Sequence, residues 1–286
     1  MNRANTIRTA DGVELFYRDW GIGTPVVFLA GWALPSDFWS YQMAPLSEAG
    51  FRCVAYDRRG HGRSSDPGRN FDYETLANDL ETVLDALNLS DVQVVAHSMS
   101  AGEVVRYLSR SRLARIQRIA LIGPTLPCLA KTADNPDGVD RHLLDVTRQQ
   151  ILGQGFPAWL DNNARPFVTA DTAASTTTWL KDLMRSCSLK AVLDCNRAMI
   201  EADFRAELTR IQIPTLIIHG DRDASAPLEL TSRRIVPLMS DVRLTVYEGA
   251  PHGLPVTHAA RLNQELLAFL RSPPLSLPVA AARRSA

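Results

Sequence analysis

The sequence predicts an α/β fold with a mainly parallel sheet, interrupted by one helical insertion. Three observations carry that reading. Short apolar runs bounded by Gly and Pro recur along the chain, helical periodicities fill the gaps between them, and one stretch of about ninety residues, 124–210, contains no such run. Strands alternating with helices call for crossover connections, which join parallel strands.

The chain begins with a different signal. Residues 6–20 alternate in polarity around Asp11-Gly12, a pair that accommodates a tight hairpin turn, so two antiparallel strands are expected there. The buried-strand runs follow at residues 25–30, 51–56, 92–96, 116–122, 214–219 and 242–247. Between them, Leu76, Leu80, Val83, Leu84 and Leu87 recur at three and four, predicting a helix over 73–89. Further helices are expected at 102–111, 227–238 and 257–270. Within the insertion, helical patches are predicted at 140–152, 176–186 and 189–208. The division expected is core 1–123, a helical cap 124–210, core 211–271, and a proline-rich tail 272–286 that is frayed.

Composition narrows the function. The 286 residues carry 31 Lys+Arg against 31 Asp+Glu, so no basic excess favours a polyanion and no nucleic-acid partner is expected. The longest apolar stretch is far short of the ~18 residues a membrane span needs. The polar first twelve residues lack a secretory apolar core. A cytoplasmic protein with no membrane partner is the expectation. The four cysteines, Cys53, Cys128, Cys187 and Cys195, form no metal-ligand or disulfide pattern. No phosphate loop or zinc motif is visible, and neither a cofactor nor a metal is expected.

The chemistry concentrates at Ala96-His97-Ser98-Met99-Ser100, where a buried strand runs straight into a helix. A bend sharp enough to present the Ser98 hydroxyl strains the backbone and requires small residues two before and two after it. A serine hydroxyl is a weak nucleophile and needs a histidine base oriented by a carboxylate. Six histidines are available. His97 adjoins Ser98 and is expected to point away from it. His252 lies in the loop after the last strand, where catalytic groups of such a sheet gather, and is the preferred base. The preceding strand-end loop offers Asp221 and Asp223; Asp223 is preferred as the acid, with Asp221 as a turn former. The Met99 N–H and the Trp32 N–H are the candidate oxyanion donors. Trp39, Trp159, Phe167, Trp179 and Leu254 are candidate pocket residues.

Taken in order, Gly31-Trp32, Asp37-Phe-Trp39, Tyr56-Asp-Arg-Arg-Gly-His-Gly-Arg-Ser-Ser65, His97-Ser98-Met99, His219-Gly-Asp-Arg-Asp223 and Pro251-His252-Gly253 resemble the α/β-hydrolase superfamily, and within it the cofactor-free bacterial haloperoxidase/esterase (perhydrolase-like) group. The resemblance implies the α/β-hydrolase fold, helices on both faces of the sheet, and a cap between its sixth and seventh strands. It also implies the triad Ser98, Asp223 and His252, the oxyanion pair Trp32 and Met99, and no cofactor. Two departures stand out. Ala30 replaces a histidine that braces the oxyanion loop in relatives, and Ala96 and Ser100 replace glycines. Ser100 is expected to crowd the strand–helix contact by ~1–3 kcal/mol, so that Ser100→Gly is tolerated and, if anything, stabilising.

The activity expected is hydrolysis of a carboxylic ester or lactone with an apolar body, through an acyl-enzyme on Ser98. The alternatives are carbon–carbon bond hydrolysis or cofactor-free oxygenation on the same scaffold, and a non-catalytic ligand-binding homologue.

Overall fold

The computed structural model describes residues 5–111 and 115–272. The expected tail therefore lies outside the described residues, apart from Ser272.

Eight strands form one sheet in the order β1-β2-β4-β3-β5-β6-β7-β8. Strands β1 (Thr6–Arg8) and β2 (Glu14–Trp20) pair antiparallel around Asp11-Gly12, where Gly12 takes the positive φ of +85° that the turn requires. Strand β2 then pairs antiparallel with β4 (Phe51–Tyr56). From there β3 (Thr24–Leu29), β5 (Val92–His97), β6 (Ile116–Ile122), β7 (Thr215–Gly220) and β8 (Val242–Tyr247) continue in parallel. Every residue of β5 and β7 is buried, as the unbroken apolar runs require. Strand β8 is an edge strand and only half buried.

The helices follow the crossovers. They are α1 (Ser40–Glu48), α2 (Tyr73–Ala86), α3 (Ser100–Arg110), α4 (Arg141–Gln154), α5 (Phe156–Asn163), α6 (Ala174–Arg185), α7 (Leu189–Glu201), α8 (Arg205–Leu208), α9 (Ser232–Ile235), α10 (Leu254–Thr257) and α11 (Ala259–Arg271). Asp72 caps α2 by accepting the Thr75 N–H at 2.9 Å, and Leu76, Leu80, Val83 and Leu84 turn inward. Helices α4 to α8 all lie between β6 and β7 in sequence. Among the described residues, no helix is long and apolar enough to cross a membrane. The four cysteines are buried and unpaired.

Two predicted helices are broken, each by tertiary contacts. The helix expected over 227–238 is two short 3₁₀ turns flanking α9. Thr231 leaves helical geometry, its hydroxyl donates to the Pro227 carbonyl at 2.9 Å, and Ser232 is recruited by His219. The helix expected over 189–208 divides into α7 and α8, because the Phe204 N–H bonds the Pro127 carbonyl and its ring packs edge-on against Tyr73. The C-terminal helix expected over 257–270 is α11, preceded by the short α10. Two helices had no readable period: α1 carries Pro45 inside it, and α5 starts at Gly155-Phe156-Pro157.

Candidate active site

The parallel strands end on one edge of the sheet, and the loops leaving that edge carry the candidate residues. Ser98 follows β5, Asp223 follows β7, His252 follows β8 and Trp32 follows β3. Ser98 has φ +58°, a left-handed backbone that a non-glycine residue adopts only when its surroundings enforce it. The enforcement is visible. Its N–H still bonds the Ile122 carbonyl of β6 at 2.9 Å while α3 starts two residues on.

Ser100 does not simply crowd this turn. Its hydroxyl is fully buried and lies 2.8 Å from the Leu29 carbonyl and 2.9 Å from the His97 carbonyl. It ties the end of β3, the end of β5 and the start of α3 together. The expected strain is replaced by a bridging hydrogen bond.

The loops after β7 and β8 are stitched to each other. A Cβ at Gly220 would overlap the Ala250 carbonyl, so only glycine lets the two loops approach. Asp221 accepts the Gly249 N–H at 2.7 Å, and the Arg222 N–H donates to the Ala250 carbonyl at 3.1 Å. Asp221 is thus the turn residue, and Asp223 is delivered to His252. The His252 Nδ1–H donates to Asp223 Oδ2 at 2.6 Å. Asp223 Oδ1 accepts the amides of Ser225 and Ala226 at 2.9 and 2.7 Å. A second imidazole also reaches Asp223: His219 Nε2 lies 3.2 Å from Oδ2, while its Nδ1 meets the Ser232 hydroxyl at 2.7 Å. Burial pushes the Asp223 carboxyl up, but the two imidazoles of His252 and His219 outweigh it and hold it well below the usual carboxylate range. An ionised Asp223 only accepts, so the His252 proton sits on Nδ1 and its Nε2 is left basic.

His97 does not stand clear of the site. Its Nε2–H donates to the His252 carbonyl at 3.0 Å, its ring lies 4.6 Å from the His252 ring, and both rings line the same cavity as Ser98. Burial, with His252 beside it, pushes His97 down to about 3, so it stays neutral and tethers the base. Neither His97 nor His219 carried a sequence signal beyond its position at a strand end.

The cavity measures about 430 Å³ and is walled by both the sheet-end loops and the inserted helices. Trp32, Trp159 and Phe167 line it; Trp39, Trp179 and Leu254 do not. Trp39 is turned inward onto Phe28 of β3, with ring centroids 5.4 Å apart. On α6 the cavity face is Thr177, Leu180, Lys181 and Met184, spaced three and four apart, so Trp179 falls on another face and packs against Tyr41. Leu254 is fully buried at the start of α10. The Trp32 indole Nε1–H donates to the Val192 carbonyl of α7 at 2.8 Å, and its ring packs edge-on against Trp159. The loop after β3 and the insertion are joined through this side chain. Among the described residues, the backbone N–H groups of Trp32 and Met99 have no protein acceptor.

A strained serine at a strand-to-helix turn, a carboxylate-bound imidazole three strands away, and an eight-stranded mostly parallel sheet define an α/β hydrolase. The alpha/beta hydrolase fold family matches residues 24–259, and the chain belongs to that family. Within it, the chain stands with the bacterial haloperoxidase/esterase group. It is 36% identical over 271 residues to the non-heme chloroperoxidase CPO-A1 of Kitasatospora aureofaciens, covering 92% of this chain and 98% of that protein. It is 35% identical over 275 residues to the bifunctional esterase/perhydrolase DCH of Acinetobacter calcoaceticus, covering 93% and 99%. The crystal structure of a bromoperoxidase from Bacillus anthracis superposes with a TM-score of 0.88 at 36% identity, covering 93% of this chain and 99% of that one.

Proposed function

We propose that this protein is a serine hydrolase that cleaves a small carboxylic ester or lactone with an apolar body, through an acyl-enzyme on Ser98. The observation that carries the reading is the 2.6 Å bond between His252 Nδ1 and Asp223, in the cavity where Ser98 sits at a left-handed backbone position. His252 Nε2 takes the Ser98 proton as the hydroxyl attacks the carbonyl carbon. Asp223 holds the tautomer and stabilises the imidazolium that forms. The Trp32 and Met99 amides, with the positive end of α3 behind them, receive the oxyanion. The proton then passes to the leaving alcohol. His252 next activates water, which releases the acid and restores Ser98. Trp32, Trp159 and Phe167 supply the apolar wall that selects the substrate body.

A second reading concerns the nucleophile that ends the cycle. A relative named as a bifunctional esterase/perhydrolase supports hydrogen peroxide as an alternative to water. Attack by peroxide on the Ser98 ester would release a peracid and return the Ser98 hydroxyl.

The test is Ser98→Ala with a panel of chain-length-varied aryl esters and lactones. Ester turnover is expected to fall by roughly 10⁴-fold or more, and a phosphonate reagent is expected to add once to the wild-type chain, on Ser98. Wild-type rates in Ser98→Ala overturn the assignment. Turnover that requires oxygen and survives Ser98→Ala would instead identify an oxygenase with His252 as its base.

A further inference from the structure

The loop that carries Trp32 is gripped from below by a guanidinium that the mechanism above leaves unused. Arg58 lies in the turn after β4, and Glu103 lies on α3, four residues beyond Met99. Both side chains are buried, 4% and 1% exposed. Arg58 Nε and Nη2 lie 2.7 and 2.5 Å from Glu103 Oε1. Nη2 also donates to the Ala30 carbonyl at 2.6 Å, and Nη1 donates to the Gly31 carbonyl at 3.2 Å. Nη1 further lies 3.4 Å from His61 Nε2, which is an acceptor because the His61 Nδ1–H is given to the Arg59 carbonyl at 2.9 Å.

The Gly31 carbonyl belongs to the same peptide unit as the Trp32 N–H. A trans peptide is planar and points its C=O and N–H in opposite directions. Holding the Gly31 oxygen toward Arg58 therefore aims the Trp32 N–H away from it. From the other side, a Cβ on Gly31 would lie 2.6 Å from His97 Nδ1 and 3.1 Å from Ser98 Cβ, so the loop has no slack there. The partner of Arg58, Glu103, rides on the helix whose first turn follows Met99. One buried fork thus joins the loop of one oxyanion donor to the helix of the other. The planar guanidinium can hold two carbonyls and a carboxylate at once, which a lysine ammonium on a flexible stem cannot reproduce.

We propose that Arg58, held by Glu103, is a positioning residue of the oxyanion hole: it fixes the Gly31–Trp32 peptide plane and locks it to α3, so that both amides converge on one oxygen. The inference rests on the reading of Trp32 and Met99 as oxyanion donors of a serine hydrolase.

The test uses the full chain with Arg58→Met, Arg58→Lys and Glu103→Gln. It measures kcat and KM on p-nitrophenyl butyrate, inhibition by phenylboronic acid as a tetrahedral mimic, and thermal unfolding. A misaimed donor costs transition-state stabilisation and leaves ground-state binding alone, so Arg58→Met is expected to lower kcat about 10–100-fold with KM within ~3-fold. Boronate inhibition should weaken by the same factor as kcat. Arg58→Lys should recover part of the loss, and Glu103→Gln should show about a 3–10-fold loss in kcat. A folded Arg58→Met with kcat within ~3-fold of wild type, or with its loss confined to KM, overturns the proposal. If Arg58→Met does not fold, Arg58→Lys decides by the same criterion, and Glu103→Gln decides if neither Arg58 variant folds. Ser98→Ala run in parallel separates the two levels. Turnover retained there removes the serine mechanism itself, whereas turnover lost there but kept in Arg58→Met removes only the positioning role.

Discussion

Ser100→Gly restores the glycine of the usual G-x-S-x-G pattern two positions after Ser98, yet here it is expected to destabilise the protein. The hydroxyl is fully buried and serves the Leu29 and His97 carbonyls at 2.8 and 2.9 Å. Losing it removes about 1–1.5 kcal/mol of net hydrogen bonding. Glycine adds about 0.5 kcal/mol relative to serine in backbone entropy. The vacated hydroxymethyl leaves a small void in a tight core, worth about another 0.5–1 kcal/mol. Together these effects come to about 2–3 kcal/mol, which for a chain of this size corresponds to a fall in Tm of roughly 3–5 °C. Differential scanning calorimetry of wild type, Ser100→Gly and Ser100→Ala measures it. The alanine variant keeps Cβ and isolates the hydroxyl, so it should lose about half as much. A Tm for Ser100→Gly equal to or above that of wild type would refute the bridging role and restore simple crowding as the account of this position.

Three further outcomes are expected. Asp223→Asn should lower kcat by about 10⁴-fold, because an amide cannot hold the His252 proton on Nδ1 in the same way; kcat within tenfold of wild type would remove Asp223 from the triad. The protein should lose stability steadily as pH falls from 6.5 toward 3. Burial pushes His61 and His97 down to about 3 in the folded state, so unfolding takes up about two protons in that window, and stability that is whole above pH 6.5 drains away below it. Asp223, held low in the folded state, adds a loss that begins only near its unfolded value of about 4. A Tm that is flat from pH 7 to pH 4 would contradict this. Finally, Trp159→Ala should shift the preferred ester toward longer chains while Trp179→Ala leaves it unchanged, since only the first ring faces the cavity; equal shifts in both would place Trp179 in the wall.

Much of the frame was legible because its signals are local. A strand buried on both faces must be an apolar run, and the runs at 51–56 and 116–122 coincide with β4 and β6, while the run at 242–247 coincides with β8, an edge strand that is only half buried. The Asp11-Gly12 hairpin and the cap at Asp72 likewise depend on residues close in sequence. The helix over 227–238 was misread because its periodicity yields to hydrogen bonds made by Thr231 and Ser232, and Ser232 serves a strand thirteen residues away. Trp39 and Trp179 were misassigned because aromatic character does not encode which way a ring points.

By itself the sequence was enough to predict the sheet strands and to single out Ser98, Asp223 and His252 as candidates, since both readings follow from chain-local polarity and strand-end position. The tertiary structure alone decided what surrounds them. It turned Ser100 from a source of strain into a bridge, brought His97 onto the backbone of His252, set His219 on Asp223, and placed Arg58 beneath the loop after β3. Each of these contacts except the one between His219 and Asp223 joins residues separated by 27 to 155 positions in the chain. Such distances are closed only by sheet order and loop packing, which no window of sequence contains.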